Sequence, residues 1–270
     1  MAFHPDWLVP DWPAPARVRA VFTTRAGGVS SGPYASLNLG RPSPDDVAAV
    51  EANRRRLAQA IGLRPVFMSQ VHGVDTVELT GLADEHLLVA DACVSAVPGQ
   101  VCSVRVADCL PVLLTNAQGS VVAAAHAGWR GLSQGVLEHG FEALMRLGVR
   151  QGKPFAASAV LAWLGPCIGP LGFEVGDEVR QAFVAADPAA AGCFKPHATA
   201  GKWLADLPAL ARMRLKAVGV TQIFGNDGAP PWCTVGNPLR FFSHRRDSLA
   251  LGGSGRMAAC IWIDGSAGLA

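Results

Sequence analysis

Three residues of metal-binding type stand at the ends of β-rich runs: His72 in "QVHG", Cys109 in "ADCLP" and His126 in "AAHAGWRG". Each ends an apolar run and borders a glycine or proline turn, features that the histidines at 4, 86, 139, 197 and 244 do not share in full. A His2Cys set suits zinc and leaves one position open for water or a substrate oxygen, as a catalytic site requires. The same residues admit other chemistry. Cys109 could be a nucleophile with His126 as its base and Asp91 or Asp108 as the orienting group. Copper is also compatible, because two His and one Cys with a weak methionine such as Met68 resemble a blue-copper set. A multicopper cluster is not, since the chain has seven histidines and no His-x-His pair. As packing, a cysteine in an apolar strand needs no chemistry at all.

Several polar residues sit in or beside apolar runs, where an unpaired polar group is costly: Asn38, Gln70, Asp91 and Asp108. Either aspartate could orient a metal-bound histidine or take a proton. Arg25 in a glycine-rich loop, Arg130 just after His126 and the pair Arg245-Arg246 are candidate phosphate binders, with the amides near Gly27 and Gly28 as an anion nest. Trp129 and Phe173 are candidates to stack on an aromatic ligand. Cys167, in "GPCIGP", reads as an apolar plug in a site wall.

The elements that position these residues follow from periodicity and breakers. "RVRAVFTT" is a strand running into a long loop, and Ser43-Pro44 opens a helix with Asp45 and Asp46 in its first turn and Val47, Val50, Leu57 and Ile61 as its stripe. Residues 65–127 change to short β runs: "PVFMSQVHG", "VDTVEL", "LLVADACVSAV", "VCSVRVADC", "LPVLLTN" and "SVVAAAHAG". The "NAQG" turn between the last two makes a hairpin, which brings Cys109 and His126 side by side. Helices are predicted for 131–147, 175–185 and 207–218, the last begun by Asp206 and Pro208; "AASAVLAWLG", "TQIFG" and "AACIWI" are strands, and 187–201 is a surface loop. Hairpin-linked strands followed by helices predict an α+β fold, layered mixed β-sheets flanked by helices, in a single domain over residues 1–270.

Gross composition excludes several classes. With 270 residues, half of them hydrophobic, and a formal charge of +2, the chain can bury a large core and carries no strong field for nucleic acid or an anionic membrane. The triple Arg54-Arg55-Arg56 falls in the first predicted helix and reads as a solvated face. Seven cysteines without a C-x-x-C pair argue against a disulfide framework. No run reaches the roughly 18 apolar residues of a membrane span, and the opening residues lack the basic n-region of a leader. A cytoplasmic protein, monomeric or weakly self-associating, is expected.

Six motifs in fixed order, "FTTRAGGVSSGPYASLNLG", "QVHG", "ADCLPVLL", "AAHAGWRG", "LGPCIGP.GFEVG" and "FFSHRRD", resemble those of the YfiH-type family, once labelled laccase-domain or polyphenol oxidase proteins. The motif-bearing region covers about 18–264. The resemblance implies the YfiH-like fold and a mononuclear zinc on His72, Cys109 and His126. It further implies a cytoplasmic enzyme that phosphorolyses adenosine, inosine, guanosine and methylthioadenosine and deaminates adenosine, with nucleoside and phosphate as its small-molecule partners. Some members are linked instead to peptidoglycan precursor editing, which suits a Cys109/His126 hydrolase or amidase; a copper polyphenol oxidase is the remaining alternative. Three positions depart from the family pattern: His244 and Phe173 stand where tyrosines are usual, and "RPSPDD" after Gly40 replaces a histidine-containing loop.

Overall fold

The computed structural model describes residues 3–41, 43–81 and 88–265. His86 and Leu87, the latter the first residue of one predicted β run, lie outside the described residues. In chain order the elements are β1 (Val18–Phe22), α1 (Val47–Ile61), β2 (Pro65–Phe67), β3 (Thr76–Glu78), β4 (Ala92–Ser95), β5 (Val101–Val106), β6 (Leu110–Asn116) and β7 (Val122–Ala127). There follow α2 (Trp129–Gln134), α3 (Val136–Arg150), β8 (Val160–Leu164), β9 (Glu174–Gly176), α4 (Asp177–Val184), β10 (Phe194–Pro196) and β11 (Lys202–Ala205). The chain closes with α5 (Leu207–Ala217), β12 (Gln222–Gly225), α6 (His244–Leu251) and β13 (Met257–Ile263).

The α+β layering expected from the sequence is present. A six-stranded mixed sheet runs β12-β8-β6-β7-β4-β3, and a four-stranded mixed sheet runs β1-β13-β5-β2. Side-chain alternation explains how they stack. In the six-stranded sheet Ala92, Val94, Val112, Leu114, Ala123 and Ala125 face α3 and α5, whereas Cys93, Leu113, Val122 and Ala124 meet Cys102, Val104, Ala259 and Ile261 of the other sheet. On the far side of that sheet Val21, Ala258, Cys260 and Trp262 pack against Leu57 and Ile61 of α1. Both faces of the central strands are therefore buried, and they read as continuous apolar runs rather than alternating ones.

Four local expectations are revised. Helix α1 is capped by Asp46, whose side chain accepts from the Ala48 amide, so Ser43-Pro44 lies in the preceding turn and Val47 is solvent-exposed. The long helix after β7 is two helices, broken at Gly135 with φ of 105°, a conformation that continuous helix cannot contain. Residues 175–185 divide into β9 and α4, because Val175 and Gly176 pair with β11. The loop at 187–201 contains β10, and β9, β10 and β11 form a small third sheet.

Candidate metal centre

Strands β6 and β7 pair antiparallel through the turn closed by the Gly119 amide on the Asn116 carbonyl, with Leu110 opposite Ala127 and Pro111 opposite His126. Cys109, one residue ahead of β6, thus lies beside the end of strand β7. His72 arrives from the segment between β2 and β3. The coordinating atoms of His72, Cys109 and His126 all lie within 4.8 Å of one another, and Cys109 Sγ is 3.7 Å from His72 Nε2. Zinc–sulfur and zinc–nitrogen bonds at tetrahedral angles separate two such ligands by about 3.6 Å, so the donor set fits one ion.

Asp91 makes this convergence possible. Its fully buried carboxylate accepts from His126 Nδ1 at 2.7 Å and from the consecutive amides of Val71 (3.0 Å), His72 (3.0 Å) and Gly73 (2.7 Å). The first bond leaves His126 Nε2 available as the ligand atom should a metal bind, and the other three hold His72 in the left-handed region at φ of 61°. Burial alone would raise the Asp91 pKa, but the His126 and backbone hydrogen bonds outweigh it and lower it. Burial likewise pushes the Cys109 thiol up, yet the His126 and His72 rings bring it down to about 6. For His126, burial works against protonation, while the Cys109 thiolate and the Asp91 bond lift the pKa to about 9. The site favours a thiolate, the form that binds metal.

Space around the ligands is limited. A Cβ on Gly128 would stand 2.8 Å from His72 Cδ2 and 3.0 Å from Cys109 Sγ, and one on Gly131 only 2.6 Å from the Gly73 carbonyl oxygen. The glycines of "AHAGWRG" are therefore required by close approach to the ligands and their loop.

Two cavities meet at Cys109. One, of about 340 Å³, is lined by His72, His126 and the basic residues Arg41, Arg105, Arg256 and His244. The other, of about 160 Å³, is walled by Trp129, Ile168, Phe173 and Leu207. Cys109 and His244 line both. All three departures from the family pattern fall on these walls: His244, Phe173 and, in the altered loop, Arg41.

The other sequence-predicted residues divide sharply. Asp108, at φ of 85°, accepts from the Thr234 and Ser243 hydroxyls and the Arg245 amide; it fastens α6 and the 234 loop to the start of β6 rather than engaging a ligand histidine. Arg245 lines the aromatic cavity, but its guanidinium is held by the Glu174 carbonyl. Arg246 clamps the carbonyls of Thr234, Val235 and Phe241 and pairs with Asp247. Arg25 binds the Ala35 and Pro238 carbonyls over the Phe242 ring, and the Gly28 amide is taken by Ser36, so this loop does not form the expected anion nest. Asn38 accepts from the Gly40 and Arg256 amides and thereby positions two basic segments of the cleft without lining it. Gln70 lines the cleft, its amide locked to both backbone groups of Arg105. Arg130 is exposed and stacks on Trp129. Met68 is buried in the core between the sheets and Cys167 in the core under α3 and α5, neither as a ligand.

Sequence reasoning missed Arg41, Arg105 and Arg256. Arg105 sits in β5 between apolar residues, a placement that signals a polar task, whereas Arg41 and Arg256 lie in loops with no such mark.

The comparisons with known proteins agree with this architecture. Residues 19–264 match the family model described as "Multi-copper polyphenol oxidoreductase laccase". The chain belongs to this YfiH-type family. A purine nucleoside phosphorylase of Pseudomonas aeruginosa is 50% identical over 258 residues, covering 95% of this chain and 98% of the relative. Purine nucleoside phosphorylase YfiH of Escherichia coli K12 is 49% identical over 95% of this chain and 98% of its own length. Among solved structures, the Neisseria meningitidis protein NMB0706 is similar with a TM-score of 0.85 at 43% identity, covering 96% of this chain and all of that one. YlmD of Geobacillus stearothermophilus has the same TM-score at 31% identity and 98% coverage of both chains. Among the described residues no helix is long and apolar enough to cross a membrane.

Proposed function

We propose that the chain is a cytoplasmic, zinc-dependent purine nucleoside phosphorylase acting on adenosine, inosine, guanosine and methylthioadenosine, and that the same site deaminates adenosine. The observation that carries this reading is the His72–Cys109–His126 cluster at the junction of a basic and an aromatic cavity. Phosphorolysis breaks the C1′–N9 bond and forms a C1′–O bond to phosphate, so the anion and the base must lie on opposite sides of the ribose. Arg41, Arg105 and Arg256 supply positive charge on one side. Trp129 and Phe173 supply flat apolar surface on the other.

His72, Cys109 and His126 would hold the zinc, which when bound supplies a Lewis-acid charge at its open position. Asp91 keeps His126 in the tautomer that presents Nε2. His244 is the proton carrier suited to the leaving base: burial, and then the Arg256 charge, lower its pKa, and its Nδ1 is paired with Ser248 Oγ at 2.6 Å, leaving Nε2 for the cleft. In deamination, water adds at C6 and ammonia leaves, with His244 again within the cavity that holds the ring. Positive charge and orientation together supply the catalysis; effective molarities from orientation alone are worth about 7–11 kcal/mol.

One observation favours a second reading. The order Asp91–His126–Cys109 is that of a cysteine hydrolase, and a thiol with a pKa of about 6 is nucleophilic at neutral pH. Metal content by mass spectrometry, with chromatography of adenosine and inosine with and without phosphate, separates the two. Stoichiometric zinc and phosphate-dependent release of base and ribose 1-phosphate, both lost in Cys109→Ala and His72→Ala, support the phosphorylase. A metal-free protein inactivated by a thiol alkylator supports the hydrolase.

A further inference from the structure

Arg105, near the end of β5, lines the cleft, yet its contacts make it more than a charge there. Its two terminal nitrogens donate to the carbonyls of Arg41 and Met68, each at 2.7 Å. Its own backbone is held by the Gln70 side chain: Gln70 Nε2 donates to the Arg105 carbonyl and the Arg105 amide donates to Gln70 Oε1, both at 2.8 Å. The guanidinium also lies over the Phe67 ring, 5.6 Å from its centroid. Phe67, Met68 and Gln70 thus all meet Arg105. Ser69 between them is fixed through its backbone, its amide donating to the Leu88 carbonyl at 2.7 Å and its carbonyl accepting from the Ala90 amide at 3.2 Å.

These bonds complete a frame that Asp91 leaves open. Asp91 takes the amides of Val71, His72 and Gly73, which fixes the loop at His72 but not the place where the loop begins. Arg105 sets that place, because it ties the exit of β2 to the strand from which Cys109 follows by the short link Val106–Asp108. The position of His72 relative to Cys109 therefore depends on both residues, Asp91 at the ligand and Arg105 just upstream. Through the Arg41 carbonyl the same guanidinium also holds the loop whose side chain pairs with Glu51 of α1. Two carbonyls spanned by one planar fork is a task for arginine: a lysine ammonium carries the same charge as a point on a flexible stem and does not reproduce the fork.

We infer that Arg105 is a positioning residue: besides lending charge to the cleft, its guanidinium fork sets the His72 ligand against Cys109 and fixes the Arg41 loop. The ligand part rests on the zinc reading above; the backbone part does not, and the test keeps them apart. Arg105→Lys keeps the charge and loses the fork. Hydrogen exchange in the metal-free variant is expected to be about tenfold faster over residues 68–73 than in the wild type, as loss of one charge-assisted hydrogen bond requires. Zinc affinity, read by competition with a chromogenic chelator, is expected to fall about tenfold, the lower end of the effect of groups that orient metal ligands. In the cobalt-substituted protein the thiolate-to-metal charge-transfer band, which reports ligand geometry, is expected to shift. Gln70→Ala, which releases the Arg105 backbone without touching its charge, should give the same three changes to a smaller degree. Arg212→Lys is the control for general loosening, since Arg212 clamps the carbonyls of Ile223, Gly225 and Asn226 at the edge of the six-stranded sheet. It should leave exchange over 68–73 and the cobalt spectrum at wild-type values. Wild-type exchange and a wild-type cobalt spectrum in Arg105→Lys overturn the inference and leave Arg105 as a charge alone. The same changes in Arg212→Lys as in Arg105→Lys also overturn it. Faster exchange in Arg105→Lys, with no zinc bound by any form of the protein, upholds the backbone role and overturns only the zinc reading.

Discussion

Two buried aspartates flank the His72–Cys109–His126 cluster, and they do opposite kinds of work. Asp91 turns its oxygens toward the ligands, taking the His126 ring and the three amides that carry His72. Asp108, adjacent to the ligand Cys109, turns away from them to the Thr234 and Ser243 hydroxyls and the Arg245 amide. Each stabilises a non-glycine residue in the left-handed region, His72 in one case and Asp108 itself in the other. The lesson is that nearness in sequence to a ligand does not make an orienting group. What matters is which donors the local backbone leaves unpaired: the loop after β2 presents three amides inward, while the turn before β6 needs an anchor for α6.

The largest expected effect comes from the ligands themselves. Chelation of the metal, or Cys109→Ala, is expected to remove turnover, by about a thousandfold or more if an electrostatic group of this kind is lost. Assay of chelated and zinc-restored protein checks it, and restoration must fail in the variant. Next, Asp91→Ala should lower zinc affinity about 10–100-fold and, by stranding the buried His126 ring N–H and releasing three loop amides, destabilise the protein by about 3–5 kcal/mol. Asp108→Ala should also destabilise, through loss of α6 anchoring, by about 1–3 kcal/mol, while leaving zinc affinity nearly unchanged. Competition titration with a chromogenic chelator reads the contrast directly: equal loss of zinc in both variants would erase the distinction drawn between the two aspartates.

Gly128→Ala tests the same contrast from the other side. The added methyl meets His72 and Cys109 first, so zinc affinity should fall while the folded protein loses about 1–3 kcal/mol, the usual cost of overpacking. Thermal unfolding with and without zinc separates the two effects, since only the zinc-dependent part of the stabilisation should shrink if ligand geometry is what suffers.

Much of this centre was legible in the sequence because one local signal, a two-strand hairpin with a turn of known type, dictates that residues at its open end are neighbours. Cys109 and His126 followed from that alone. His72 was marked by its type and its place at the end of an apolar run before a glycine, but nothing local says that the exit of β2 reaches the end of β7. The arginines were the reverse case. Arginine is common, flexible and tolerated anywhere on a surface, so Arg25, Arg245 and Arg246 were as plausible for phosphate as Arg41, Arg105 and Arg256; members of both sets donate to backbone carbonyls, and only the fold, which puts the second set on the cleft wall, distinguishes them. The fold was legible in its layers, from apolar runs buried on both faces, and illegible at 187–201, where short polar strands carry no period. Helix α6 was missed for a similar reason: its eight residues are short and largely polar.

The smallest expected effect belongs to Arg130, the residue that sequence adjacency to His126 made the natural partner of a phosphate or ribose oxygen. Helix α2 starts at Trp129, and its first turn carries Arg130 outward, where the guanidinium lies 4.4 Å from the centroid of the Trp129 ring. Trp129, not Arg130, lines the aromatic cavity. An exposed cation–π contact is worth about 0.5–1 kcal/mol, so Arg130→Ala should cost no more than that in unfolding free energy and leave the KM for phosphate within about twofold, the range of exposed substitutions away from special features. Arg256→Ala, in the cleft wall, should by contrast raise that KM by about tenfold, the loss of one charged hydrogen bond. Steady-state kinetics with phosphate varied at saturating inosine measures both. A larger phosphate defect in Arg130→Ala than in Arg256→Ala would mean that α2 rotates on substrate binding and that the anion approaches from the His126 side of the centre.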